Sequence, residues 1–395
     1  MTVAATVPDR RGGGDPVTVV IAPDKFKGSL TAVQAADAIA AGILQVRPDV
    51  VVVRLPVADG GEGTVQAALT AGYRAETVTV EGPTGDPVQA VFAIQGTRAV
   101  VEMAEASGLR RLTAGLPAPL TASSYGTGQL LLAALDLGAT NVVLGIGGSA
   151  STDGGAGMAQ ALGAQFLDNH GVPLPRGGAA LARLSQINLD RLDPRLQATT
   201  VVLASDVGNP LLGERGAAVV YGPQKGATPA DVAVLEAALT RFAEVVARDL
   251  GIVVADASGG GAAGGTGAGA IAFLGARVTS GIALMLDIVG FSAAASNSVL
   301  VITGEGSLDR QSLHGKTPIG VAAAAAALGI PVVALVGRLE VTEKQLADVG
   351  ISEAHALLEL EPDQELAQAN ASALLHQIAA RIAANLPASA VAEGV

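Results

Sequence analysis

The side chains able to do chemistry in this 395-residue chain gather in six short loops, most of them rich in glycine. The first runs Asp24-Lys25-Phe26-Lys27-Gly28-Ser29, with two lysines at alternate positions just ahead of a helix-like segment. Ammonium groups and the free N–H groups of a helix start both attract a phosphate or a carboxylate; a capped loop with solvated lysines is the plainer reading. The second, 58–64, combines three glycines with Asp59 and Glu62. Glycine lets the backbone approach a ligand closely, and the two carboxylates suit Mg2+ or a substrate hydroxyl, unless Asp59 only caps the next helix. The third, 145–155, follows a strand-like run and opens a helix, so the N–H groups around Gly147, Gly148 and Ser149 are spaced to cradle phosphate, with Asp153 close behind. In the fourth, Asp206 stands directly after a strand, a natural place for a catalytic carboxylate, while Asn209 before Pro210 reads equally as a turn. The fifth, 221–226, offers Lys225 in a tight turn, by default a solvated lysine. The sixth, 303–309, presents Glu305 and Asp309 and is followed by Gly315-Lys316-Thr317.

Two familiar motifs compete for these residues. Gly145, Gly147 and Ala150 fit the dinucleotide pattern G-x-G-x-x-G/A, with Asp168 at the end of the next strand near the ribose-binding distance. This supports an NAD-dependent oxidoreductase as the second reading. Gly315-Lys316-Thr317 invites a Walker A motif, but position 310 is Arg310 instead of glycine, and no strand immediately precedes it. The P-loop is rejected. His170, His314, His355 and His376 show no paired metal spacing and read as surface or loop residues. A non-catalytic metabolite sensor would also need ligand loops, but no DNA-binding helix pair or basic face accompanies them.

The elements that must position these loops follow from composition. Half the residues are apolar and only 15% are charged, against about 25% in ordinary soluble chains; the mean hydropathy is +0.47. Aromatics make up 2%, so the core must be aliphatic, which suits parallel strands covered by small-residue helices. A net charge of −12 argues against a nucleic-acid partner, and the absence of cysteine closes off disulfides, thiolate metal sites and a cysteine nucleophile. Arg10-Arg11 lacks the apolar stretch of a twin-arginine signal. Uncharged runs at 257–276 and 317–337 are broken by glycine and by Pro318 and Pro331; neither reads as a membrane span, and a cytoplasmic protein is expected.

Strands are predicted at 17–22, 50–55, 75–80, 88–94, 99–103, 141–146, 164–167, 200–204, 299–303 and 331–336. Helices are predicted at 31–45 with Thr31 as cap, 63–70, 156–162, 229–250 and 365–384. The two ends of the chain share a strand–loop–helix rhythm that the middle lacks. One domain split by an inserted one is therefore expected: 17–78 with 298–387, and 79–297 between them, with 1–15 and 388–395 disordered.

The blocks IAPDKFKGSLTAVQAADAI, PVADGGEGT, VVEMAEASGL, SSYGTGQLLLAALDLGA, GIGGSASTDGGAGMAQALGAQF, SDVGNPLLGERGAAVVYGPQKGA, GGGAAGGTGAGAIAFLGA and VITGEGSLDRQSLHGKTPIGVA occur in this order. Together they resemble the glycerate kinase type I family over nearly the whole chain, from 17 to about 384. The chain departs from the expected family residues at Thr84, Gln129, Thr152 and Ser205. The resemblance implies ATP- and Mg2+-dependent phosphorylation of D-glycerate to 2-phosphoglycerate. It also implies a flavodoxin-like parallel-sheet domain carrying an inserted mixed-sheet α/β domain.

Phosphoryl transfer asks for positioning, charge neutralisation, metal coordination and a proton acceptor, and under this resemblance the loops are expected to supply each. Asp206 and Lys25 are the expected catalytic pair. Asp24, Lys27, Ser29, Asp59, Glu62 and Asn209 are expected at the substrate. Gly147, Gly148, Ser149, Asp153, Lys225 and Glu305 are expected at the nucleotide, and Asp153, Asp206 and Glu305 at the metal. Partners are expected to be small molecules alone, with neither nucleic acid nor membrane, and the protein a monomer or homodimer.

Overall fold

The structure is a computed structural model that describes residues 16–113, 116–310, 312–314 and 316–388. The expectations for 1–15, including the Arg10-Arg11 pair, and for 389–395 lie outside the described residues. In chain order the strands are β1 (Thr18–Pro23), β2 (Val51–Arg54), β3 (Arg74–Glu81), β4 (Pro87–Gln95), β5 (Arg98–Glu102), β6 (Asn141–Gly145) and β7 (Gln165–Leu167). They continue with β8 (Gln186–Asn188), β9 (Thr200–Ala204), β10 (Arg277–Thr279), β11 (Leu300–Leu308), β12 (Val332–Leu339) and β13 (Glu353–Ala356).

The chain forms two compact units, one from the residues up to Asp59 and from Ile282 onward, the other from Gly60–Gly281. The sequence pattern put these junctions near 78/79 and 297/298. The helix Thr64–Thr70 groups with the second unit because it packs on β4 and β5, and the helix Phe291–Ala295 groups with the first because it packs on β1.

Unit 1 is a five-stranded parallel sheet in the order β13-β12-β11-β1-β2. Numbered within the unit, this is the 2-1-3-4-5 order of flavodoxin-like sheets, in which the winding direction reverses between β1 and β11. Its strands are aliphatic because both faces are covered: Val19, Ile21, Ile302 and Leu335 are fully buried. The helix Ala32–Val46 starts at Thr31, whose hydroxyl accepts from the Gln34 N–H while the Gln34 side chain accepts from the Thr31 N–H. This reciprocal cap satisfies two otherwise orphaned donors. The same helix packs on Ala371–Ala383 at Gly42, where a Cβ would lie 2.2 Å from the His376 carbonyl oxygen. The closing helix expected over 365–384 is two helices, Gln364–Ala369 and Ala371–Ala383, meeting at Asn370.

Unit 2 is a six-stranded mixed sheet, β10-β9-β6-β5-β4-β3, with β3–β4–β5 antiparallel and β5, β6, β9 and β10 parallel. Here the parallel strands advance in one direction without reversal. Its core includes Phe166, Phe242 and Phe273, whose ring centroids lie 5.5–6.5 Å apart. The long helix Pro229–Leu250 is capped by Thr228 and Asp231 in the same reciprocal manner.

Candidate active site

In unit 1, β1 ends at Pro23 opposite Gly304 of β11, and the loop that leaves β1 lines, with the end of β11, a cavity of about 350 Å³. A ligand crevice is expected at this reversal point, beyond the carboxyl ends of the strands. Six residues singled out in the sequence meet here: Asp24, Lys25, Lys27, Ser29, Asp59 and Glu305. β11 extends past Thr303 because its pairing with β12 continues to Leu308↔Leu339, so Glu305 sits on a strand instead of a loop.

The charged groups of this cavity hold one another out of their ordinary states. Asp24 is 7% exposed. One of its oxygens accepts from the Lys25 N–H at 2.6 Å, the other from the Thr317 hydroxyl at 2.6 Å. Burial pushes its carboxyl up to about 6, with the Lys25 charge opposing and Asp59 adding to the rise. Glu305 is 9% exposed, and its Oε1 has no hydrogen-bond partner within the described residues. Burial pushes it up to about 7, against Ser312 and the Lys316 ammonium and with a further push from Asp24 and Asp309. A carboxyl that titrates near neutrality and lines a cavity is suited to accept a proton. Ser29 is used differently: its hydroxyl donates to the Gln368 carbonyl at 2.7 Å and braces the loop.

Unit 2 presents the other predicted residues, and most of them are consumed by the scaffold. Gly147 and Gly148 follow β6 at the surface, with no partner for either amide N–H among the described residues. Gly147 is required where it stands, since a Cβ would lie 2.5 Å from the Gly61 Cα. Ser149 is buried and donates to the Ser151 and Ala263 carbonyls. Asp153, expected at nucleotide and metal, is fully buried and accepts from five donors: the Ser123 hydroxyl, the Ser124 N–H and hydroxyl, and the Gly155 and Gly157 N–H groups. Four of these bonds fall on Oδ2 and one, from the Gly155 N–H, on Oδ1.

Lys225 corrects the expectation of a solvated lysine: it is 3% exposed and donates to the Ser151 carbonyl and the Ser149 hydroxyl. Burial pulls its ammonium down to about 7, with Asp153 opposing. Asp206 is exposed, and one of its oxygens accepts from the Gly281 N–H at 3.0 Å. Asn209 braces a turn between the Arg215 carbonyl and the Tyr221 hydroxyl. Glu62 is ion-paired with Arg110 at 2.7 Å. Among the described residues no group of three His, Cys, Asp or Glu side chains is arranged to hold a metal ion.

The dinucleotide reading fails on topology. β7 does not lie beside β6; it pairs antiparallel with β8 in a separate two-stranded sheet. Asp168 accepts from the His170 and Val172 N–H groups and so closes a turn instead of meeting a ribose.

Several residues of interest escaped the sequence reading. Lys316 lines the unit 1 cavity and Thr317 holds Asp24; both were set aside with the rejected Walker motif. Glu102 ends β5 buried at 2% exposure. Its place directly after an aliphatic run was the same signal that drew attention to Asp206.

A family model described as the glycerate kinase family matches residues 19–387. A glycerate kinase of Halalkalibacterium halodurans is 48% identical over 93% of this chain and 97% of its own length. A glycerate 2-kinase of Escherichia coli K12 is 46% identical over 86% of this chain and 88% of its own. A crystal structure assigned to glycerate kinase 2 of Salmonella typhimurium LT2 superposes with a TM-score of 0.82 at 43% identity, covering 94% of this chain and 98% of that one. No helix among the described residues is long and apolar enough to cross a membrane. With the match running through both units and through every loop discussed above, the chain belongs to the glycerate kinase family and is a kinase, an enzyme whose phosphoryl group comes from a nucleotide.

Proposed function

We propose that the protein transfers the γ-phosphoryl group of ATP to the 2-hydroxyl of D-glycerate, giving 2-phosphoglycerate. The observation that carries this reading is the unit 1 cavity, where a carboxyl poised near neutrality stands among lysines. The 2-position is supported by the Escherichia coli relative, named glycerate 2-kinase. Glu305 accepts the proton of the attacking hydroxyl. Lys25, Lys27 and Lys316 neutralise the glycerate carboxylate and the transferred phosphoryl group. Asp24, tied to the Lys25 N–H and the Thr317 hydroxyl, holds the lysine loop against the start of the helix Thr317–Ala327. The Gly147 and Gly148 N–H groups contribute anion-binding donors for nucleotide phosphates.

Mg2+ supplies charge neutralisation on the phosphates. Such a cation keeps several of its waters and its phosphate ligands and asks the protein for one or two carboxylates. Asp59 and Asp309 line the cavity and are assigned that role. Asp206, expected as base or metal ligand, is reassigned to holding the start of the helix Gly281–Ile288, and Asp153 to holding the glycine loop. A metabolic enzyme drawing on ATP works in the cytoplasm, and its partners are glycerate and nucleotide.

The test is a coupled assay for ADP release from Mg-ATP with and without D-glycerate, with products resolved by phosphorus NMR. ADP release that depends on glycerate, with one new phosphomonoester at the 2-position, is expected. ADP release unaffected by glycerate would remove the proposal.

A further inference from the structure

The segment 60–65 is pinned to the carboxyl ends of the parallel strands of unit 2 from two sides. On one side the contact is glycine against strand end. A Cβ on Gly60 would lie 2.7 Å from the Ala204 Cβ at the end of β9, and a Cβ on Gly145 would lie 2.7 Å from the Gly60 carbonyl oxygen. On the other side it is a side chain: Glu102 Oε2 accepts from the Gly63 N–H and from the Val65 N–H, both at 3.2 Å. Gly60 and Gly63 adopt positive φ, 86° and 103°, so the turn has a shape that must be held from outside. Glu102 is 2% exposed and its Oε1 has no hydrogen-bond partner among the described residues, the Arg110 guanidinium being 4.0 Å away and engaged with Glu62 and Glu105.

A saturated acceptor on one oxygen and an orphaned oxygen on the other is a costly way to fill a core position. We propose that Glu102 is a positioning residue for the segment 60–65, which continues directly from the cavity residue Asp59, gripping its amides as a carboxylate and releasing them when Oε1 takes a proton. The proton adds to Oε1 and leaves Oε2 a neutral carbonyl acceptor, which binds N–H groups about half as strongly as the ion does. The charged groups facing it are Arg110, which favours the ion, and Glu105, which opposes it; Glu62 and Arg111 act on it through these two. Burial, the largest influence, pushes Glu102 up to about 7, so the release falls in the neutral range. The kinetic part of this inference rests on the glycerate reading; the structural part does not.

The experiment compares the full-length wild type with Glu102→Gln, Glu102→Asp and Glu102→Ala. Hydrogen exchange of the 60–67 peptide, corrected for intrinsic rates, is measured from pH 5.5 to 8.5, and glycerate KM and kcat are measured at pH 8. Wild-type protection is expected to fall as the pH drops through about 7. In Glu102→Gln it should be roughly tenfold weaker at pH 8 and independent of pH, while Glu102→Asp regains the pH dependence. Glycerate KM should rise about five- to twentyfold in Glu102→Gln with kcat changed less than about threefold. Exchange in Glu102→Gln matching wild type throughout would overturn the grip. Weakened protection with an unchanged KM would overturn the positioning role. If Glu102→Ala does not fold, the isosteric Gln and the Asp variant still decide the matter. A wild type that ignores glycerate would sink the functional reading alone, because the exchange result stands without it.

Discussion

The two units both carry parallel strands that end in glycine-softened, polar loops, and in unit 1 the loops at those strand ends line a cavity among charged side chains. In unit 1 the winding reverses between β1 and β11, so the loops leaving these two strands diverge and leave room between them. In unit 2 the parallel strands β5, β6, β9 and β10 advance without reversal, and the segment 60–61 packs against the ends of β6 and β9, so closely that a Cβ on Gly60, Gly145 or Gly147 would clash. Polar residues of the same types therefore meet different fates. Asp24 and Glu305 keep their charges facing a cavity and titrate near neutrality. Asp153 and Lys225 are walled in and spend their hydrogen bonds on the chain itself.

The contrast is broken most severely at its scaffold end. Asp153→Ala strands five buried donors, and thermal or denaturant unfolding should show a loss of about 3–5 kcal/mol. A loss under about 1 kcal/mol would mean that the glycine loop is not held by this carboxylate. At the cavity end the expected effect is on function. Lys25→Ala should raise the glycerate KM by roughly 10–100-fold, the scale of one charge-assisted contact, with an unchanged melting temperature. Equal kinetics in this variant and the wild type would return the Lys25 loop to a structural role.

The two regions should also respond to pH with opposite sign. Glu305 is raised in the folded protein from 4.5 to about 7. Its contribution to stability is complete below about pH 4.5 and is lost as the pH rises through about 7. Lys225 is lowered from 10.5 to about 7, so its contribution is complete above about pH 10.5 and is lost as the pH falls through about 7. Glu305→Gln should therefore be more stable than wild type at pH 8, on the order of 2 kcal/mol, with the gap closing toward pH 4.5. A gap that does not vary with pH would contradict the assignment. The smallest effect is expected at Ala263, the sole non-glycine residue with positive φ among those described, at 54°. It sits where the Ser149 and Thr266 hydroxyls reach its carbonyl. Ala263→Gly should change stability by less than about 1 kcal/mol, toward greater stability, because relief of the left-handed strain slightly exceeds the added freedom of the unfolded chain.

Much of the fold was legible because aliphatic runs and caps are local signals. Thr31 caps its helix, and the strand Thr200–Ala204 and the helix Pro229–Leu250 fall where the pattern put them. The lysine loop and Asp59 were likewise legible as polar residues beyond strand ends, and Glu305 as a carboxylate at the end of an aliphatic run, although β11 runs on past it. Burial was not legible. Lys225 looked solvated because a tight turn in sequence says nothing of Ser149 and Ser151, some 75 residues away, closing over its amine. Asp168 mimicked a ribose-binding carboxylate because spacing alone does not distinguish a parallel β7 from one paired with β8. Lys316 and Thr317 were lost with a motif that failed as a P-loop, although a cavity formed by a different topology uses both.

The central claim is that Glu305 takes the proton of the attacking hydroxyl, and the pH dependence of kcat/KM for glycerate in wild type and Glu305→Gln tests it most directly. The wild-type value should rise as the pH passes about 7, while the variant should be lower by roughly 10²–10⁴-fold and flat through the same range. A variant that keeps the wild-type rate, or the wild-type rise with pH, would contradict the account.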